Sequence, residues 1–153
     1  IKDLSKIPWD ILLIFGGVFA LAEGIRATGL AEYIGQKLHF LHGLHPFGLI
    51  FVVTISVIFI TEFTSNTAVA TTILPIIAVI SINLNIPPMM IMLPATIAAS
   101  CAFMLPVATP PNAIVFGSRY VPIKKMVKTG FWLNIISASL ASVYFYFLFK
   151  LIL

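Results

Sequence analysis

Thr61-Glu62-Phe63-Thr64-Ser65-Asn66-Thr67 is a polar island in a run that is otherwise apolar from Phe47 to Asn83. The arms on either side, about 47–61 and 67–82, each rise only ~24 Å if helical. That is short for two membrane spans joined by a turn in water. No charged residue follows Glu62 until Arg119. A polar tip between two short apolar helices fits a re-entrant hairpin, which enters and leaves the bilayer on one side. Residues 46–83 are read as that hairpin.

A second interruption follows. Asn83-Leu84-Asn85-Ile86-Pro87-Pro88 is a turn, and the run from Met89 to Ser118 would be ~45 Å long as one helix, too long for an untilted span. It contains Pro106-Val107-Ala108-Thr109-Pro110-Pro111-Asn112. Proline inside a helix removes a backbone hydrogen bond and pushes the preceding residue out of the α region. Residues 88–118 are therefore expected to form a broken helix, with the second half starting at Pro110 and ending near Gly117.

The whole chain agrees with a membrane setting. Of its 153 residues, 60% are hydrophobic and 9% charged, against roughly 45–50% and about 25% in soluble domains. Lipid must cover part of that apolar surface, which excludes a soluble enzyme, a disordered segment and a nucleic-acid-binding module. The fold expected is all-α and polytopic. Residues 1–29 form a first transmembrane helix, with Gly16-Gly17 at its middle and Glu23 and Arg26 three apart near its end. Residues 30–45 are amphipathic and too short to span, so they lie in the interface. Residues 119–128 form a basic loop and 129–153 the last span. The only cysteine, Cys101, forms no internal disulfide. The chain opens on Ile1-Lys2-Asp3 without an initiator Met, and is read as the C-terminal piece of a longer protein.

Basic residues set the orientation. Lys2, Lys6, Arg119, Lys124, Lys125 and Lys128 fall on one side, whether the hairpin is re-entrant or crosses fully. Lys37 and Lys150 fall on the other. Positive residues favour the cytoplasm, so the 119–128 loop is placed there and the C-terminus outside, in a multi-pass protein of the cell membrane.

The two breaks share one design. Ser, Asn and Thr are good N-caps, and proline suits the first helical position because its missing N–H would be unpaired there anyway. Thr64-Ser65-Asn66-Thr67 and Thr109-Pro110-Pro111 thus each place a helix N-terminus inside the membrane, where an anion can bind. Carbonyls released just upstream, around Thr61–Thr64 and Pro106–Ala108, can coordinate a hard cation such as sodium.

These two motifs, Thr61 to Thr67 and Val107-Ala108-Thr109-Pro110-Pro111-Asn112-Ala113, resemble those of the divalent anion/sodium symporters, the sodium-coupled dicarboxylate and citrate carriers. Trp9-Asp10 through Phe15-Gly16-Gly17, and Thr28-Gly29-Leu30, are similar to that family too. The resemblance implies an inverted-repeat transporter of which this chain is the end of the second repeat, the first-repeat half being absent. It implies a homodimer, an elevator-type motion, sodium as the coupling ion and no organic cofactor. By resemblance, Ser65, Asn66, Thr67, Thr109 and Pro110 contact a small dicarboxylate. Thr61, Thr64, Asn66 and Ala108 match positions that hold sodium, several through main-chain oxygen.

Alternatives remain at the sequence level. Glu62 is an ionisable group beside the hairpin tip, which either carries a proton in a proton-driven carrier or holds the tip by hydrogen bonding. The breaks could instead only pack helices, in a scaffold that transports nothing. His39, His42 and His45 are spaced as a metal site could be, but Gly43 interrupts them and interfacial histidines are common. No set of residues for nucleophilic or acid–base catalysis appears, so no enzyme activity is expected.

Overall fold

The computed structural model describes residues 45–152 and, before them, positions 13, 16, 17, 20, 21, 23–25, 27–30 and 33. Those earlier positions are helical apart from a turn at Thr28-Gly29, where Gly29 has φ 70°. Much of the expected first span and nearly all of the interfacial helix, with Arg26, His39 and His42, lie outside the described residues.

Five helices follow. Helix α1 spans Pro46–Thr61 and opens at a cap in which His45 Nδ1 accepts the Phe47 N–H, 3.3 Å away. Helix α2 spans Asn66–Asn83 and starts at Ser65, whose hydroxyl oxygen accepts the Ala68 N–H at 3.2 Å. Its end is a left-handed stop. Asn85 takes φ 54°, Asn85 N–H reaches the Ile82 carbonyl at 3.0 Å, and Ile86 N–H reaches that of Ser81 at 2.9 Å. Asparagine tolerates this conformation, and the prolines that follow forbid further helix. Helix α3 spans Pro88–Ala98, α4 spans Pro110–Gly117, and α5 spans Ile123–Ile152.

Two boundaries differ from expectation. Helix α5 begins inside the stretch 119–128 that was expected to be loop, because the Pro122 carbonyl accepts the N–H groups of Lys125 and Met126 at 2.9 and 3.1 Å. Its 30 residues rise ~45 Å, more than the hydrocarbon core. The surplus is its exposed basic start, with Lys124, Lys125 and Lys128 on the surface. The second difference is the length of the break. Helix α3 ends at Ala98, so non-helical backbone already begins there and runs to Thr109, rather than starting near Pro106.

Helix α3 packs against α1, α2 and α5, while α1 also packs along α5. Small residues make this possible. Ala95, Ala98, Ala99 and Ala138 are buried in one cluster with Leu49, Val57, Ile58, Val69, Ile77 and Ile91, so backbones approach closely. Helices α1 and α5 run antiparallel, as the ring pairs Phe47–Tyr146 and Phe59–Phe131 show, with centroids 5.8 and 5.9 Å apart. Between them, Thr54, Ile58 and Glu62, four residues apart along α1 and its cap, are buried, and so are Asn134, Ala138 and Ser142 along α5. The outer face of α5 is apolar and exposed: Trp132, Ile136, Leu140, Tyr144, Phe147 and Leu151 recur every three or four residues. Among the described residues, α5 is long and apolar enough to cross a membrane.

Candidate functional site

The tip between α1 and α2 is a tight turn. Phe63 N–H returns to the Ile60 carbonyl at 3.2 Å, and Phe63, Thr64 and Ser65 are exposed. With Ser65 as N-cap, its hydroxyl oxygen takes Ala68 N–H and its carbonyl takes Val69 N–H. That leaves the N–H groups of Asn66 and Thr67 as the donors at the positive end of α2. They are what an anion can use.

The start of α4 is different. Pro110 and Pro111 have no N–H, Asn112 N–H is spent on the Thr109 hydroxyl oxygen at 3.4 Å, and Ala113 N–H on the Thr109 carbonyl at 3.1 Å. The second helix end therefore offers the dipole and the Thr109 hydroxyl proton rather than a row of free amides. Ser65 and Thr109 each bond within their own element, and no hydrogen bond among the described residues joins them. Pro110 is exposed, and α4 buries none of its residues.

Two expected sodium positions do come together. Thr61, fully buried, places its Oγ1 2.7 Å from Asn66 Oδ1 and 3.1 Å from the carbonyl oxygen of Ala99. Thr61 has one hydroxyl hydrogen for two oxygen acceptors, so one of the contacts sets lone pairs against each other. Two arrangements relieve this: the Asn66 amide turns its NH2 group toward Thr61, or a cation sits among the three oxygens. All three are neutral oxygens, the donor set that a hard monovalent cation takes. Ala108 is buried at the end of the break, next to the Thr109 cap. The Thr64 side chain is exposed and lines a shallow groove of about 240 Å³ with Ile60, Ala68, Val69, Thr72 and Ile73, a lining that includes none of the three oxygen donors.

Glu62 occupies an unexpected position. It is buried, and its two oxygens accept four N–H groups. Oε1 takes Phe103 N–H at 2.8 Å, Met104 N–H at 2.9 Å and Asn134 Nδ2 at 2.6 Å; Oε2 takes Leu105 N–H at 2.9 Å. Three successive amides of the break thus form a concave nest around a carboxylate supplied by the hairpin. Asn112 ties the break from the other side, donating to the carbonyls of Ala102 and Leu105 at 2.9 and 3.1 Å. This explains the length of the break. Backbone groups that leave a helix inside a membrane need partners, and here Glu62 and Asn112 supply them.

Sequence reasoning missed Asn134 and the Ala99 carbonyl. Asn134 had a signal, as the lone amide side chain in the apolar stretch 129–149, where polar groups usually meet a partner. The Ala99 carbonyl had none. Of the histidines, His45 caps α1 and packs on Tyr146, with ring centroids 5.4 Å apart. Among the described residues, no group of His, Cys, Asp and Glu is placed to hold a metal.

The family model described as "Sodium:sulfate symporter transmembrane region" matches residues 3–151. A protein named sodium-dependent dicarboxylate transporter SdcS, from Staphylococcus saprophyticus, is 51% identical over 147 residues, covering 96% of this chain and 28% of its own length. The protein of the same name from Staphylococcus aureus (strain MRSA252) is 49% identical over 149 residues, covering 97% of this chain and 29% of its own. The chain thus spans less than a third of the curated relatives it matches. On the match of almost its entire length, the chain belongs to the sodium:sulfate symporter transmembrane family.

Proposed function

We propose that this chain is the C-terminal portion of a sodium-coupled symporter of dicarboxylates or related divalent anions. The observation that carries the reading is the meeting of Thr61, Asn66 and the Ala99 carbonyl in one neutral oxygen cluster. Asn66 also opens α2, where its own N–H and that of Thr67 are left as donors by the Ser65 cap. Sodium is cargo at the oxygens, shared with Thr64 and Ala108 through the main chain. The substrate carboxylate is cargo at Ser65, Asn66 and Thr67, with Thr109 and Pro110 opposite. Asn66 belongs to both, since one end of its amide is an acceptor and the other a donor.

The charge pattern supports cation coupling. No Lys or Arg lies between Glu62 and Arg119, so a dianion is balanced by bound sodium and by helix ends. A proton-driven carrier built on Glu62 has less support, because that carboxylate is occupied by four N–H donors and faces the break. The first repeat completes the site, the protomer pairs as a homodimer, and hairpin and broken helix move together in an elevator-type step. The protein sits in the cell membrane with the start of α5 in the cytoplasm and its end outside. The experiment is uptake of a labelled dicarboxylate by the full-length protein in proteoliposomes, with an inward sodium gradient and then with potassium in its place. Sodium-dependent uptake is expected, and equal uptake under both gradients rejects the reading.

A further inference from the structure

Helix α5 lies outside both cargo positions, yet its Gly130 and Asn134 reach the break directly. They are four residues apart and so share a face of the helix, and both are buried. Asn134 uses both ends of its amide: Nδ2 donates to Glu62 Oε1 at 2.6 Å, and Oδ1 accepts Phe103 N–H at 3.2 Å. Gly130 leaves room for the backbone of the break. A Cβ there would meet the Phe103 carbonyl group and stand 2.6 Å from Met104 Cα, closer than side-chain carbons come to backbone.

We infer that Gly130 and Asn134 are positioning residues for the sodium site, acting through Glu62 and the backbone of Phe103–Leu105. This rests on the sodium-coupled reading above. The break emerges from Ala99, whose carbonyl faces Thr61, and ends at Ala108, beside the Thr109 cap. Phe103, Met104 and Leu105 lie between these two points. Leu105 is held by Glu62 Oε2, and its own carbonyl accepts Ala108 N–H at 3.2 Å. Fixing the middle of the segment fixes both ends. Glu62 follows Thr61 in the chain, so the same carboxylate locks the break to the residue whose hydroxyl stands in the oxygen cluster. Asn134 sets the orientation of that carboxylate, and Gly130 sets how far the break can sink toward α5.

On this reading α5 acts on a site that it does not line. Without Asn134, Glu62 keeps its three amides but loses the donor that holds Oε1 toward α5, and Phe103 N–H loses its second acceptor. The carbonyls at Ala99 and Ala108 then sample a wider range of positions. A cation site pays for that freedom in affinity, while the anion donors at Asn66 and Thr67 are untouched. Groups that orient ligands without touching the ion typically alter metal affinity by roughly 10- to 100-fold.

The test uses the full-length transporter in proteoliposomes and measures the sodium concentration giving half-maximal dicarboxylate uptake, with the maximal rate and the substrate KM at saturating sodium. Asn134→Ala and Gly130→Ala are each expected to raise the half-maximal sodium concentration about tenfold or more. The substrate KM at saturating sodium should change little. Asn134→Ser, which keeps a polar group too short to bridge Glu62 and Phe103, provides the same reading if the alanine variant folds poorly. Combining Asn134→Ala with Glu62→Gln should raise the sodium requirement less than the product of the two single effects, because both act on one link. A variant that loses only folded protein or thermal stability, with its sodium dependence unchanged, overturns the positioning role. So does an equal loss of substrate affinity at saturating sodium. If the wild-type protein shows no sodium dependence, the symporter reading itself falls and the positioning role falls with it.

Discussion

The Thr61 hydroxyl oxygen stands 2.7 Å from the side-chain oxygen of Asn66, across the turn that joins the two arms of the hairpin. The last residue of α1 and the first of α2 thereby converge on one point, and the Ala99 carbonyl joins them from the start of the break. Residues that are near one another in sequence at the tip thus share a centre with a backbone atom 38 residues away.

Thr61 tests whether that centre holds sodium. Thr61→Val keeps the shape and removes the oxygen, whereas Thr61→Ser keeps the oxygen. The valine variant should need several-fold more sodium for half-maximal uptake, and the serine variant should stay near wild type. Uptake assays over a sodium series at constant ionic strength decide it; equal sodium dependence in both variants would place the ion elsewhere.

Asn66 tests the sharing of one side chain by two cargoes. Asn66→Asp keeps an oxygen for the cation but sets a negative charge against an anionic substrate. Sodium binding should survive and dicarboxylate binding collapse, as read by isothermal titration calorimetry on the purified full-length protein. Thr67→Ala should weaken mainly the substrate, by about 1.5–3 kcal/mol, the worth of a hydrogen bond to a charged group. Normal dicarboxylate binding by Asn66→Asp would move the anion site away from α2.

Linkage supplies a test that needs no mutation. If sodium neutralises the substrate, the dicarboxylate must bind more tightly as sodium rises, and sodium more tightly as dicarboxylate rises, by the same factor. Binding isotherms at a series of sodium concentrations should show this. A substrate affinity that stays flat across the series counts against cation coupling.

The seam between α1 and α5 makes a prediction about stability alone. Thr54 and Ser142 are fully buried on facing helices, and their hydroxyls have no hydrogen-bond partner among the described residues. A buried hydroxyl without a partner costs about 1–3 kcal/mol. Thr54→Val, which swaps it for a methyl of the same shape, should leave the full-length protein as stable as wild type or raise its Tm. Thr61→Val, at a hydroxyl that does have partners, should not share that gain. A clear fall in Tm for Thr54→Val would mean that its hydroxyl is satisfied in the complete protein.

Topology is checked by cysteine labelling. On a background with Cys101 replaced, Lys125→Cys should react with a membrane-impermeant maleimide only from the cytoplasmic side, and Lys150→Cys only from outside. The reversed pattern would invert the orientation drawn from the basic residues.

Much of the local structure is legible in the sequence. Ser65 and Thr109 are N-caps because short hydroxyl side chains satisfy the first amides of a helix, and Pro110 begins α4 because proline needs no donor there. The end of α2 is equally local, since Asn85 and the prolines after it leave the chain no helical continuation. The start of α5 was misplaced for a local reason too. The basic stretch 119–128 reads as loop by its charge, although Lys is a good helix former and Pro122 opens the first turn.

What the sequence by itself determined is where α2 and α4 begin and where α2 ends: the caps and the prolines act over a few residues, so their effect can be read in order along the chain. What only the tertiary structure decided is how the exposed backbone of the break is satisfied. The amides of Phe103, Met104 and Leu105 find their acceptors on Glu62, 41 to 43 residues away, and Phe103 finds a second on Asn134, 31 residues away. A backbone amide carries no residue-specific mark of the partner it will meet. Only close packing of α1, α3 and α5, permitted by alanines and by Gly130, brings these donors and acceptors within 3.2 Å of one another.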